Sequence, residues 1–449
     1  MKKYLYNYLI LFTITFFVVF GSCNKDDAIA PSIPTNQIPK ELAVDSVQTF
    51  NQITSSDNEI SRLGLRFNFT DFQPTGVYVK SNSTLKLNVT LQQGTQLPQL
   101  LVGTYSHSDN WNHQPLVFDL QEGDNSFQIG NDGLVYINYT DYSNPNGKVQ
   151  IKFTDGWKHS PVYTLNKTSS ATWKKMLDYF KDVPSATLIS NKAILVVTRE
   201  KAIEYQNENQ ENLLKSIDET IELYNELSGM DNSTAIHKPM FHKLLMAEYT
   251  GSDYYMFAYY YRTAYSTSGV QYILSEKEFK EDGWGPWHEI GHMYQMNAWT
   301  WNEVGETTVN IYSLASEKAK GITTSRMKRE NRWGEITTYL ALSDTDRSFN
   351  SDKASVWVRL GMFYQLHLAF GDDFYKILHK AVREENQTIN NDEDRMRTFM
   401  IHACKASNKD LTAFFKKWGL KFSGVENVYT QIQDLGLSTP SEDLTLLTD

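Results

Sequence analysis

The stretch "WGPWHEIGHMYQ", Trp284 to Gln295, decides how the rest of the chain is read. Its centre is His288-Glu289-Ile290-Gly291-His292. Pro286 suits the first residue of a helix, because its missing N–H is one that a helix start leaves unbonded. A helix running on through Gln295 puts His288 and His292 one turn apart on one face, with Cβ atoms about 5–6 Å apart. That separation lets two imidazoles share one tetrahedral metal ion. Glu289 lies beside that face, within reach of a water on the metal without being a ligand. A carboxylate so placed can take a proton from the water and hand it to a leaving amine. Gly291 inside a helix costs roughly 1 kcal/mol against Ala, which marks close backbone packing.

Three fixed positions recur by chance in about one chain in a hundred of this length, so the context has to carry the reading. A catalytic metal needs a third protein ligand and an open fourth position. Downstream runs "NAWTWNEVGETTVNIYSLASEK". Glu303 and Glu306 stand 11 and 14 residues after His292, and both are candidates. "NAWTW" can form a turn between two helices, and Glu306 falls one turn before Asn310 on the second. Glu306 is therefore favoured, making His288, His292 and Glu306 a two-His, one-Glu site for a single catalytic Zn2+. Asn310, on the same face, stands either behind a ligand or as a helix-packing amide. Just ahead of the motif, "MFAYYYRTAYS" reads as a strand pair whose edge suits an extended peptide.

The whole chain agrees with an exported globular protein. Its 449 residues allow two or three domains and a large core. A formal charge of -10 argues against nucleic acid or an anionic lipid surface as the partner. The N-terminus reads as a secretion leader: basic "MKK", then the apolar run Leu9 to Phe20, too short for an ordinary transmembrane helix. "GSC" follows, and small residues ahead of Cys23 resemble the lipobox of bacterial lipoproteins. "NKDD" after it resembles a surface-export signal of Bacteroidetes lipoproteins. The expectation is a lipid anchor at Cys23 and a place on the outer face of a bacterial outer membrane, with plain secretion as the alternative. There are two cysteines, so with Cys23 lipidated no disulfide framework exists, and Cys404 is expected as a buried small hydrophobe.

Along the chain, residues 1–22 are the leader and 23–45 a proline-bearing tether. Residues 46–165 show short alternating strands broken by turn residues, as in "GVYVKSNSTLKLNVTLQQG", and suggest a β-sandwich. Residues 166–436 mix helices with a few strands and become mostly helical late; 437–449 form a tail. "ATWKKMLDYFKDV" is a helix by spacing, "KAILVVTR" a short buried strand, and "EKAIEYQNENQENLLKSIDETIELYNELSG" one long helix ending at Gly229. The fold class is α+β.

With these residues in hand, the chain resembles the M60 family of peptidases, the enhancin-like metallopeptidases. The resemblance rests on "GWGPWHEIGHMYQ", "WTWNEVGETTVNIYSL", "MFYQLHLAFGDDFYK", "DLTAFFKKWGLKFS" and "PTGVYVKSNSTLKLNV", and spans about residues 60 to 425. It implies a zincin-type, gluzincin-like catalytic domain behind the β domain, and zinc bound by His288, His292 and Glu306. It also implies cleavage of O-glycosylated, mucin-like proteins near a glycosylated Ser or Thr. Two other readings stand beside it: a glycoprotein-binding surface lipoprotein without turnover, and a general metallopeptidase with no glycan requirement. Trp299 and Trp301 are available to stack on a sugar or to fill the core. Tyr364, His367 and Tyr259 to Tyr261 are open candidates for supporting an oxyanion. The β portion is either a platform or a glycan binder through the polar, aromatic loop Tyr105 to Pro115. His107, His113, His159, His237, His242, His379 and His402 show no ligand spacing and are read as structural.

Overall fold

Alternation of apolar residues builds the front of the chain. On strand Thr84–Gln93, Leu85, Leu87 and Val89 point inward; on Lys148–Asp155, Val149, Ile151 and Phe153 do the same. These strands belong to a four-stranded antiparallel sheet in the order Val47–Asn51, Lys148–Asp155, Thr84–Gln93, Gly123–Gln128. A second antiparallel sheet runs Lys158–His159, Phe72–Val79, Gly133–Asn138, Gln99–Val102, Leu116–Asp119. Val77, Val79, Leu100, Val102, Val135 and Ile137 of the second sheet share one core with the inward residues of the first. The result is a β-sandwich. This computed structural model describes residues 38–103 and 115–449. The leader, Cys23, most of the tether and, Pro115 apart, the Tyr105–Pro115 loop lie outside the described residues.

Behind the sandwich, a six-stranded mixed sheet carries the rest. Its order is Val162–Thr164, Ser185–Ile189, Ala193–Thr198, Leu244–Tyr249, Arg262–Ser266, Met256–Tyr259. Leu244–Tyr249 is buried along its whole length, as suits a strand inside a covered sheet. Met256–Tyr259 forms the edge, paired antiparallel with Arg262–Ser266. Tyr260 makes their turn in the left-handed region, φ 51°.

The long helix expected over residues 200–229 is two helices, Arg199–Glu204 and Gln210–Leu227. Asn209 breaks it, its side chain accepting from Asn212 N at 3.1 Å and starting the second helix afresh. That helix does end where glycine permits it, with Gly229 at φ 63°. The motif helix spans Trp284–His292, so Pro286 is its third residue and not its first. The missing N–H is harmless there too, because the first four N–H groups of a helix lack intrahelical partners. The helix also stops at His292 instead of running through Gln295. Met293 and Tyr294 close with i→i−3 bonds to Ile290 and Gly291, and the chain turns away.

What turns it is a segment from the front of the chain. Helix Ser56–Leu63 ends at Gly64, φ 68°. Beyond it, Leu65 bridges Met296. Arg66 N donates to Gln295 O at 3.1 Å and Asn297 N to Gly64 O at 2.9 Å. Leu63, Leu65 and Phe69 pack in the same core as Trp287, Ile290, Met293, Tyr294 and Tyr312. Lys40–Asp449 is one compact unit.

The C-terminal half is helical, with Val356–Phe370, Asp373–Glu385 and Asp392–Ser407 around an aromatic core. Trp299 and Trp301 belong to that core, 1% and 0% exposed, among Phe363 and Phe399. Neither can stack on a sugar; the apolar area of an indole is best buried, and Trp301 Nε1 finds Asn350 Oδ1 at 3.0 Å. Cys404 is buried and free, its thiol pushed up to about 12 by burial. The last residues lie back on this half: Gln365 Nε2 donates to Thr445 O and Leu447 O.

Candidate active site

The motif helix is clamped between two elements. On one side, a Cβ added to Gly285 would lie 2.5 Å from Met256 Sδ of the edge strand. On the other, a Cβ on Gly291 would lie 2.9 Å from Val309 Cγ2 and 3.0 Å from Val309 O. The helix cost of Gly291 therefore obtains a close approach to helix Asn310–Ala319. That second helix continues from a short one, Gly305–Thr308, which carries Glu306.

Between the two helices the side chains converge. His288 Nε2 lies 3.1 Å from Glu306 Oε2, and His292 Nε2 lies 3.4 Å from the same oxygen. The two Nε2 atoms are 3.1 Å apart. Among the described residues, these three are the one set of His, Cys, Asp or Glu side chains whose ligand atoms gather in this way. Glu303, on the preceding 3-10 turn, is outside the set and lies in the field of Arg359. Glu289 is buried, 7% exposed, on the residue next to His288.

The other ends of the rings decide what the near ends are. His288 Nδ1 lies 2.8 Å from Asn310 Oδ1, and His292 Nδ1 lies 2.8 Å from Gln295 Oε1. The orientation of each amide is fixed by its nitrogen. Asn310 Nδ2 donates to Glu306 O at 2.9 Å. Gln295 Nε2 donates to Gly305 O at 2.6 Å and to Thr308 Oγ1 at 2.7 Å. The amide oxygens therefore face the rings, and each Nδ1 must be the N–H that donates. Each neutral ring then presents its Nε2 lone pair to the other and to a carboxylate. Three lone-pair donors turned on one another are the donor set of a cation, and two imidazoles with one carboxylate suit zinc.

The electrostatics agree. When protonated at Nε2, His288 and His292 donate to Glu306 and hold its carboxyl well below the usual carboxylate range. Burial acts to lower the His288 imidazolium, but the Glu306 hydrogen bond and the field of Glu289 outweigh it and leave it raised. The site thus favours positive charge between the rings. Burial pushes the Glu289 carboxyl up, with His288 and His292 pulling it back. A carboxylate raised in this way is a better proton acceptor.

The remaining expectations are sorted by place. Tyr364 hydrogen-bonds Asp449 and stacks on His367, 5.7 Å between ring centres. Both line a cavity of about 710 Å³ whose lining includes none of His288, Glu289, His292 or Glu306. Their hydrogen-bond and ring partners include Asp449, Asp372 and each other, not the ligand set. Tyr261 packs edge-on against Phe72 and Tyr260 is exposed at the hairpin tip. Three residues at the site escaped sequence reading: Gln295, Arg66 and Phe67. Phe67 stands edge-on to His292, 6.5 Å between centres, and Arg66 Nη1 reaches Gln295 Oε1 at 3.5 Å. The Gln295 signal was present, three residues past the second histidine, but only a helix ending at His292 turns it inward.

Comparison with known proteins gives the family. The sequence pattern described as "Peptidase M60, enhancin and enhancin-like" matches residues 156–419, and that of the N-terminal domain of M60-like peptidases matches 54–154. A solved structure of a conserved, functionally unknown protein from Bacillus anthracis str. Ames is 31% identical, with a TM-score of 0.80 over 90% of this chain and 81% of that one. The M60 catalytic domain of ZmpC from Clostridium perfringens, solved in complex with the sialyl T antigen, has the same fold. Its TM-score is 0.75 at 21% identity, over 90% of this chain and 82% of that one. A TRPM8 channel-associated factor homolog of Xenopus laevis is 26% identical over 363 residues, 78% of this chain. The chain spans 38% of that relative's length. A β-rich front domain, a catalytic domain with a helical second half and the matched pattern agree: the chain belongs to the peptidase M60 family of enhancin-like metallopeptidases.

Proposed function

We propose that the chain is a zinc-dependent endopeptidase that cuts O-glycosylated, mucin-like proteins. The observation that carries this reading is the convergence of His288 Nε2, His292 Nε2 and Glu306 Oε2 beside a buried Glu289. His288, His292 and Glu306 would hold the ion. Zinc bound there supplies Lewis acidity and lowers the pKa of a water towards about 7. Glu289 takes the proton of the attacking water and passes it to the leaving amine nitrogen. Asn310 and Gln295 keep the two rings in the tautomer that points Nε2 inward. The edge strand Met256–Tyr259 beside the motif helix is where an extended peptide adds to the sheet. A glycan requirement is supported by the family and by the sialyl T antigen complex of the Clostridium relative. The leader sequence supports a lipid anchor at Cys23 and a place on the outer face of a bacterial outer membrane. Palmitate labelling lost in Cys23→Ser tests that part.

The curated relatives named for association with a channel favour a second reading, in which the fold binds glycoprotein and turns nothing over. Glu289 speaks against it, because a binder has no use for a buried proton acceptor beside the ligand set. One digest separates the readings. A mucin-type glycoprotein is treated with the full chain, glycans intact or removed, with and without chelator, and the fragments are read by mass spectrometry. Cleavage of the intact form alone, abolished by chelator, is expected. Equal cleavage of both forms removes the glycan requirement. No cleavage of either by a zinc-loaded chain supports binding alone.

A further inference from the structure

Gln295 touches more of the site than a helix-end residue needs to. Its carbonyl oxygen accepts from His292 Nδ1 at 2.8 Å and takes Arg66 Nη1 at 3.5 Å. Its amide nitrogen donates to Gly305 O and Thr308 Oγ1, on the turn that carries Glu306. Its backbone oxygen accepts from Arg66 N. It is 1% exposed. Asn310 does a parallel job from the other helix, joining His288 Nδ1 to the backbone oxygen of Glu306. Each histidine is thus linked to the Glu306 turn by one neutral amide.

We infer that Gln295 is a positioning residue: it fixes the ring of His292 and locks that ring to the Glu306 turn, so that the three ligands are held as one hydrogen-bonded unit before an ion arrives. The inference rests on the proposed zinc site and adds a residue to it. The physical reason is preorganisation. A ring free to rotate or to switch tautomer spends part of its population unable to bind, and affinity falls by that fraction. A carboxamide does this without charge, so Glu306 remains the one anion among the ligands and their amide partners. Arg66 Nη1, already 3.5 Å from Gln295 Oε1, would bind a carboxylate at 295 more strongly and compete with His292 for it.

The test compares the full chain with Gln295→Met and Gln295→Glu. Zinc affinity is measured by competition with a chromophoric chelator, cobalt-loaded protein gives a visible spectrum that reports ligand geometry, and melting is followed without metal. Gln295→Met keeps the volume and removes both hydrogen-bonding ends. It is expected to weaken zinc by roughly 10–100-fold and to alter the cobalt spectrum. Gln295→Glu keeps an acceptor for His292 but loses the donor to Gly305 and Thr308. It should fall between wild type and Gln295→Met, and it carries the test if the Met variant fails to fold. Both variants binding zinc within about twofold of wild type, with an unchanged cobalt spectrum, overturns the inference; about 0.4 kcal/mol is too little for a lock. A wild-type chain that takes up no zinc overturns the zinc site itself, a result distinguishable from the first.

Discussion

His237 and His292 are both buried in polar clusters, yet the two clusters have opposite construction. Around His237 every hydrogen-bonding end meets a protein partner. Arg383 donates to Leu63 O, Gly229 O, Ser228 O and His237 Nδ1, and the other ring nitrogen of His237 donates to Glu384. Around His292 the Nδ1 ends are satisfied by amides while the Nε2 lone pairs and Glu306 turn towards one another. The first cluster is a joint between helices; the second is a cage. Burial does not distinguish them. The direction of the spare lone pair does.

The largest effect that would break this contrast is at Glu289. Glu289→Ala should lower turnover by roughly 10²–10⁴-fold while zinc content and melting stay near wild type. Turnover that persists would remove Glu289 as the base. Next comes the joint. Arg383→Met leaves three carbonyls and a ring nitrogen without their donor, and should cost about 3–5 kcal/mol in denaturant titration. Folded molecules of this variant should still bind zinc normally; a coupled loss of zinc would mean that joint and cage are one system. Glu306→Ala should then weaken zinc by more than the roughly 10–100-fold of an outer partner, and Glu303→Ala hardly at all. The reverse order would reassign the third ligand.

The smallest effect is a pH slope. Burial lowers His379 to about 3, against an unfolded value of about 6.5. The unfolded chain therefore holds more protons between these values. Stability is complete above about pH 6.5 and declines as pH falls towards 3, with a limiting slope of about 1.4 kcal/mol per pH unit. His379→Gln should flatten the slope between pH 6.5 and 5 in urea titrations. An unaltered slope would assign the acid sensitivity to other histidines, such as His402, which burial also lowers.

Local spacing made the cage half legible. His288 and His292 depend only on one helical turn, and Glu306 was favoured over Glu303 because it precedes Asn310 by another. Gln295 was hidden because the helix ends three residues earlier than its periodicity suggests. Arg66 and Phe67 were hidden because backbone pairing across so long a separation leaves no local trace. Trp299 and Trp301 show the limit of composition: an indole beside a motif looks the same whether it faces a sugar or Phe363. The break at Asn209 was readable in principle, since asparagine starts a helix better than it continues one. The strand alternation was clear where a strand has one buried face, as in Thr84–Gln93 and Lys148–Asp155, and not in Gly133–Asn138, which is buried on both.

The short pairing of Gly64–Arg66 with Gln295–Asn297 also bears on how far the two matched regions can be separated. A cut between the two matched regions, after residue 154, would take Leu63, Leu65 and Phe69 out of the catalytic core. Each such side chain contributes about 1.5–3 kcal/mol when buried. The severed half would also lose the strip that bends the chain behind His292. The front region therefore completes the core behind the motif helix. Expressed alone, the region from residue 156 would begin with a hole in its core and a loosened turn behind His292.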